Sequence, residues 1–223
     1  MKNYFKFYLL LFIILYPLIL ITKSFGYNDI SKWCIPAFVT IVFISQMVYN
    51  FHLGKIKWLL SLAFLFVCTG DFLINLTSIG QYSVLAFVCT HICLIIYYFS
   101  ENKFKSKDLL LLIPVIILSL LAYFSIFNKL STFQAIVFAV YLSVLTTMLW
   151  RALCYLNFET SSRRKILIIA GSLLFYLTDV FVSTNVVFNC NGLVVATWVC
   201  YPPALLFLSL MNYKFNNLKT KVF

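Results

Sequence analysis

The chain has 223 residues, of which 63% are hydrophobic, 19% aromatic and only 10% charged, and its mean hydropathy is +1.00. These values exclude an ordinary soluble domain and predict a polytopic membrane protein. The formal net charge of +11 does not indicate a nucleic-acid-binding protein, because the basic residues stand between apolar runs and not together on a soluble surface.

Apolar runs separated by turn signals predict eight membrane-spanning helices in one domain that covers residues 1–223. A spanning helix needs about 20 mainly apolar residues, and the chain is long enough for eight such helices with short connections. The predicted spans are about 6–22, 33–50, 57–76, 82–99, 108–127, 132–153, 164–182 and 193–211. The predicted fold class is an all-α integral membrane protein, a single bundle of about eight transmembrane helices.

The N-terminal segment begins with basic residues and continues as an apolar run, as a signal peptide does. No small-residue cleavage site follows the run, so we interpret the segment as a retained first span.

The distribution of Lys and Arg predicts the orientation of the bundle. With a cytoplasmic N-terminus, only Lys23, Lys32 and Lys129 face outward, and the other 14 of the 17 basic residues (17 minus 3) face the cytoplasm. The positive-inside rule then places both termini in the cytoplasm. We expect a multi-pass protein of the bacterial inner membrane, or of an ER-type membrane in a eukaryote. Its expected partner is the lipid bilayer and not nucleic acid, and the sequence does not indicate an oligomeric state.

The two halves of the chain resemble each other weakly. An offset of 108 residues superposes Asp71 on Asp179 and Lys57 on Lys165 (179 minus 71, and 165 minus 57). Each aspartate would then lie on the third helix of a four-helix unit, and the two helices would cross the membrane in the same direction. This pattern is typical of a parallel repeat.

Asp71 and Asp179 are the only two of the six acidic residues that lie deep inside predicted spans. Each follows a predicted cytoplasmic lysine by 14 residues, or about 21 Å of helix rise, so both should lie at one depth in the outer half of the bilayer. A charged group in hydrocarbon costs about 3 kcal/mol or more, so such residues normally face a cavity. Two neighbouring carboxyl groups can act as general acid and general base, although hydrogen bonding to a neighbouring helix is an alternative role.

The other four acidic residues lie in or beside predicted connections and are expected to be solvated: Asp29, Glu101, Asp108 and Glu159. Trp150 and Arg151 look first like an interfacial anchor. Four polar side chains at accessible depths are candidate substrate-binding residues: His91, Asn75, Tyr141 and Tyr201. His91 is also a candidate for a catalytic or orienting role, or for a core residue whose hydrogen bonds are satisfied.

The seven cysteines show no paired metal-binding spacing, and most of them lie within apolar runs. We interpret them as small core residues and predict no metal site and no cofactor.

Four stretches of the chain together resemble one family. Gly70-Asp71 in span three, His91 in span four, YLSVLTTMLWRAL (141–153) in span six and GSLLFYLTD (171–179) in span seven occur in the order typical of the YhhN-like lysoplasmalogenases. Eight spans are also expected for that family. The chain has Thr178 where the family usually has Ser, and its last span, with CYPPALL (200–206), lacks the Gln that often accompanies the Tyr there.

The resemblance implies hydrolysis of the vinyl ether of lysoplasmalogen, a lysophospholipid, to a fatty aldehyde and glycerophospho-ethanolamine or -choline. The chemistry of this reaction suits Asp71 and Asp179 as the catalytic residues, because a buried Asp pair can act as acid and base without a metal or cofactor. Lys32, at the outer end of span two, is then a candidate for binding the phosphate of the substrate.

Two other functions use a pair of intramembrane carboxylates. An intramembrane aspartyl protease of the presenilin type would also have the motif Pro203-Ala204-Leu205, but Cys68 replaces an expected Gly and the Gly-Asp motif comes first instead of second. A proton- or cation-coupled carrier would use the carboxylates as a proton relay, with the repeat providing alternating access.

Overall fold

The computed structural model describes residues 2–25, 28–50 and 55–212. These residues form eight α-helices and no strand, which confirms the predicted all-α fold class. The helices are α1 (Lys2–Ser24), α2 (Asn28–Asn50), α3 (Lys55–Leu76), α4 (Ser83–Glu101), α5 (Leu112–Phe127), α6 (Thr132–Leu153), α7 (Ser162–Phe188) and α8 (Asn191–Leu210).

Seven of these helices, α2 to α8, are long and apolar enough to cross a membrane, so the protein is a multi-pass membrane protein. In α1 the apolar part, Phe12–Ser24, is shorter than that of the other helices. A membrane crossing by α1 therefore stays a prediction. The orientation of the termini stays a prediction too. The basic residues of the predicted cytoplasmic tail lie outside the described residues: Lys214, Lys219 and Lys221.

Helix α7 continues beyond residue 182, where the sequence predicts its end, to Phe188. Thr184, which lies in this extension, bonds within the helix, because its Oγ1 donates to Val180 O (2.7 Å). Asn189, with a left-handed φ of 46°, ends the helix, and its backbone N–H still donates to Asn185 O. The added turns extend α7 along the functional site described below.

The most extensive helix packing occurs between α3 and α4 and between α7 and α8. These two pairs occupy the same positions, third and fourth, in the two predicted four-helix repeats. The α7–α8 approach depends on Gly171, because a Cβ at this position would lie 2.9 Å from Leu208 Cγ and 3.1 Å from the Leu208 backbone nitrogen. The two halves thus have similar helix-pair packing.

The end of the bundle formed by the C-terminal ends of α4 and α6 and the N-terminal end of α7 contains buried charged residues, and we call it the ion-pair end. Arg151 is 0% exposed, donates through Nη2 to Asn102 O, and has Nη1 3.8 Å from Asp108 Oδ2. Its guanidinium carbon lies 4.0 Å from the ring centroid of Phe99. Arg164 Nη2 donates to Glu101 Oε2 in a second ion pair.

These contacts correct two expectations from the sequence. Arg151 is not an interfacial anchor, since its side chain is enclosed by the bundle, and Trp150 Nε1 donates to Asp108 O (2.7 Å). Asp108 is not solvated, because it is buried and accepts from the backbone N–H of Lys105 (3.0 Å) and from Asn157 Nδ2 (3.1 Å). The physical reason is that the connection folds back onto the bundle, which hydropathy alone does not reveal.

Candidate functional site

A cavity of about 660 Å³ lies at the other end of the bundle, between the C-terminal ends of α3, α5 and α7 and the N-terminal ends of α4, α6 and α8. We call this the cavity end. Most of the wall is apolar, and the volume is typical of a site for a small organic ligand. Both aspartates predicted from the sequence, Asp71 and Asp179, line this cavity.

Asp71 projects from α3 and is buried. Its Oδ2 accepts a hydrogen bond from the hydroxyl of Tyr201 on α8, and its backbone carbonyl accepts one from Asn75 Nδ2 (2.9 Å). The absence of a side chain at the preceding Gly70 has a steric reason, because a Cβ there would lie 3.0 Å from the ring of Phe87 on α4. Gly70 therefore allows the Phe87 ring to lie against α3 beside Asp71, where it forms part of the cavity wall.

Asp179 projects from α7 and is also buried. Its Oδ2 lies 2.8 Å from His91 Nε2 on α4, and the hydroxyl of Tyr141 on α6 lies 3.4 Å from the same nitrogen. The hydroxyl of the neighbouring Thr178 donates to Leu174 O (2.8 Å) in its own helix. Three helices therefore contribute the polar groups around Asp179.

The aspartates have partners from opposite halves of the chain. Asp71, on the third helix of the first half, is bonded to Tyr201 on the fourth helix of the second half. Asp179, on the third helix of the second half, is bonded to His91 on the fourth helix of the first half. The two halves are thus joined by reciprocal contacts at the cavity.

The structure brings three of the five predicted substrate-binding residues to the cavity wall: Asn75, Tyr141 and Tyr201. His91 differs from the prediction, because it is 0% exposed and lies behind Asp179 instead of on the wall. Its ring centroid is 4.8 Å from that of Phe175, and its Nδ1 has no hydrogen-bond partner in the described part of the chain.

Lys32 also differs from the prediction. It lies near the start of α2, is exposed, and is not among the residues that line the cavity. The reason is the position of α2, which packs against α1, α3 and α8 while the cavity wall is built from α3 to α8. The structure therefore provides no contact between Lys32 and the predicted catalytic residues.

A different cation lies against the cavity wall. Lys23, at the end of α1, has its Nζ 5.4 Å from the ring centroid of Trp198, and Trp198 lines the cavity. Among the described residues that form the wall itself there is no Lys or Arg. This positive charge in contact with a wall residue is thus carried by a lysine that the sequence indicated only as outward-facing.

Several polar residues of the wall were missed by sequence reasoning: Gln81, Ser83, Gln134, Ser183 and Asn185. The only sequence signal was their position at the ends of predicted spans, where polar residues usually serve as turns or caps. Gln134 does serve in this way, since its Oε1 accepts from the backbone N–H of Ser131 (3.0 Å) at the start of α6. Tertiary packing brings these amides and hydroxyls to one cavity.

The arrangement suits acid–base chemistry on an amphipathic ligand. Two buried carboxyl groups face one mainly apolar space, and within the described residues neither forms an ion pair with Lys or Arg. Such groups interact strongly with any charge that develops between them, because the surroundings screen poorly.

The model of the YhhN family matches residues 31–211. This range includes both aspartates, His91, most of α2 and the whole of α3 to α8. Comparison with curated proteins and with solved structures found no match.

Proposed function

The chain belongs to the YhhN family, and from this membership and the geometry of its cavity we propose that it hydrolyses the vinyl ether bond of a lysoplasmalogen. The products are a fatty aldehyde and glycerophospho-ethanolamine or -choline. The observation that carries the proposal is the convergence of Asp71 and Asp179, from two different helices, on one mainly apolar cavity.

The reaction needs only groups that the cavity has. A protonated aspartate gives its proton to the β-carbon of the vinyl ether, and the α-carbon becomes an oxocarbenium ion. The ionised aspartate offsets this charge and takes a proton from the water that attacks the α-carbon. In the collapse of the hemiacetal, the protonated base gives its proton to the departing alcohol oxygen and the ionised acid takes the hydroxyl proton. The aldehyde and the free alcohol are released, both aspartates return to their starting forms, and one water is consumed for each bond cleaved.

The wall suits both ends of a lysophospholipid. Apolar side chains such as Val137, Val182 and Val194 provide a surface for the hydrocarbon chain, and the amides of Gln81 and Gln134 can hydrogen-bond a polar headgroup. We propose that Lys23, in contact with Trp198 of the wall, attracts the phosphate.

The cavity also suits a substrate that arrives from the bilayer. Phe133 and Val186 line it and are nevertheless 76% and 79% exposed on the surface of the bundle. Apolar side chains exposed on a membrane-spanning bundle face lipid tails. We propose that the hydrocarbon chain of the substrate passes from the bilayer to the cavity along this apolar surface.

The protease alternative has less support. Of the motif Pro203-Ala204-Leu205, no residue lines the cavity, and Ala204 and Leu205 are 0% exposed in the core of the bundle. The motif is therefore not positioned to hold a peptide near the aspartates.

The test is to give the purified protein a vinyl-ether lysolipid and, separately, its ester analogue, and to follow the products by mass spectrometry. We expect fatty aldehyde from the vinyl ether and no fatty acid from the ester. Absence of aldehyde from the wild-type protein, in detergent and in lipid vesicles, would refute the proposal. Cleavage of a transmembrane peptide or proton-coupled transport with the lipid unchanged would identify the alternatives.

A further inference from the structure

The two aspartates differ in the side chain that each one contacts. Asp71 is bonded to the phenol of Tyr201, and Asp179 to the imidazole of His91. A phenol hydroxyl can donate to a carboxylate or to the carbonyl oxygen of a neutral carboxylic acid, so Tyr201 is compatible with either form of Asp71. The surroundings of Asp179 are more selective, because two side chains, His91 and Tyr141, can donate to it.

His91 has one polar contact region and one apolar one. Its Nε2 meets Asp179 Oδ2 at 2.8 Å, whereas its Nδ1 is buried without a hydrogen-bond partner in the described part of the chain. The ring of Phe175 packs against the imidazole, and no part of His91 is exposed. The proton of a neutral imidazole can therefore be satisfied on Nε2 and not on Nδ1.

The possible proton arrangements of His91 and Asp179 differ in cost. If Asp179 were protonated and donated to Nε2, the imidazole proton would have to stay on Nδ1, as a buried donor without an acceptor. If Asp179 is ionised, Nε2–H donates to the carboxylate in a charge-assisted hydrogen bond, and Nδ1 carries only a lone pair. Nε2–H could also donate to the carbonyl oxygen of a neutral Asp179, but that bond is not charge-assisted and is weaker. Because Nε2 carries the proton, the nearby Tyr141 hydroxyl is left to donate to Asp179, which therefore has two donors where the carboxyl of Asp71 has Tyr201. Two donors favour the ionised form of Asp179.

The form of Asp179 decides the form of Asp71. Both carboxyl groups face one poorly screened cavity, where two neighbouring negative charges repel strongly. With Asp179 ionised, Asp71 keeps its proton. Tyr201 then donates to Oδ2 of the neutral acid, and the proton on the other oxygen is free to face the substrate.

On the basis of the proposed function, we propose that His91 is a positioning residue that holds Asp179 as the ionised base, and that Asp71 is the general acid. Asp71 gives its proton to the β-carbon. Asp179 offsets the oxocarbenium charge and accepts the proton from the attacking water. His91 acts only through Asp179, because it does not line the cavity.

Azide separates the two aspartate roles. As a small anion it adds to the oxocarbenium ion without giving up a proton, so it replaces both the base and its charge, and the product is an α-azido ether. We expect azide to restore substrate consumption in Asp179→Ala by about tenfold or more and to leave Asp71→Ala inactive, because carbon protonation still requires the acid. Rescue of Asp71→Ala and not of Asp179→Ala would overturn the assignment.

Two substitutions test the role of His91. Gln offers an N–H in place of Nε2–H, whereas Leu fills the space without a donor. We expect His91→Leu to lower kcat by about 10²-fold with little change in KM and to regain activity with azide, and His91→Gln to retain most of the wild-type kcat. Tyr98→Phe is the matched control, since it removes another buried hydrogen bond, to Ser172 Oγ (2.8 Å), and neither residue lines the cavity.

The outcomes separate this inference from the proposed function. A wild-type protein that releases no aldehyde refutes the function itself. A wild-type protein that releases aldehyde, with His91→Gln as impaired as His91→Leu, refutes the role of His91 alone. If His91→Leu does not fold, the azide comparison of the two aspartate variants still decides which residue is the acid.

Discussion

The two ends of the bundle both contain buried charged residues, but they arrange them differently. At the ion-pair end, Arg151 lies against Asp108 and Arg164 against Glu101, so opposite charges are close together. At the cavity end, Asp71 and Asp179 face one cavity, and among the described residues their carboxyl groups contact tyrosine and histidine side chains but no Lys or Arg. Opposite charges in contact reduce the cost of burial, whereas two carboxyl groups without a cation retain reactivity. From this comparison we infer that the first end stabilises the fold, and we propose that the second performs the chemistry.

The largest expected effect is the loss of activity on changing the aspartates. Asp71→Asn and Asp179→Asn keep the size of the side chain but can neither give a proton to carbon nor offset a positive charge. We expect each to lower the rate of aldehyde release by about 10² to 10⁴-fold or more, with the double variant no worse than the more damaged single one. Thermal unfolding in detergent should show an unchanged or raised Tm. Aldehyde release near the wild-type rate from both single variants would contradict the proposed function.

The next effect lies at the ion-pair end and concerns stability. Arg151→Met removes the guanidinium that donates to Asn102 O and lies 3.8 Å from Asp108 Oδ2. Removing one partner of a buried ion pair costs about 3 to 5 kcal/mol, so the Tm should fall clearly. Lys103→Met, an exposed change at the same end, is the control and should leave the Tm unchanged. A stable Arg151→Met protein without activity would instead place this residue in the chemistry.

A smaller loss of stability is expected at the contact between α7 and α8. Gly171→Ala places a Cβ 2.9 Å from Leu208 Cγ and 3.1 Å from a backbone nitrogen, so the helices must separate. Overpacking of this kind costs about 1 to 3 kcal/mol. Gly192→Ala is the matched control, because its Cβ would meet only Cys190 Sγ, at 3.7 Å. Equal Tm values for the two variants would show that the helix contact tolerates the added methyl group.

The smallest effect concerns the headgroup. Lys23→Ala should raise KM for the lysolipid by about fivefold or less, because a single accessible cation contributes up to about 1 kcal/mol. Lys32→Ala is the control from the adjacent helix, since Lys32 is exposed and does not line the cavity. The effect of Lys23→Ala should shrink at high salt. A raised KM for Lys32→Ala alone would favour the phosphate contact that the sequence suggested.

The sequence by itself determined the helical class, the approximate positions of the helices and the presence of two carboxyl groups within them. Each of these properties depends on local composition, since about 20 apolar residues suffice to identify a span and any ionisable residue inside it stands out. The end of α7 was less predictable, because Thr184 satisfies its hydroxyl within the helix and the helix continues beyond the predicted span.

Only the tertiary structure decided which side chains meet. Asp71 and Tyr201 are 130 residues apart in the chain, and His91 and Asp179 are 88 residues apart. No local pattern indicates that these pairs are in contact. The burial of Asp108 and the position of Lys32 away from the cavity likewise follow from how helices pack, and not from their hydropathy. Depth in the membrane is set along one helix and can be read from the sequence. The direction in which a side chain points into the bundle is set by its neighbours, because every helix here is apolar on most of its surface and packing alone selects the buried face.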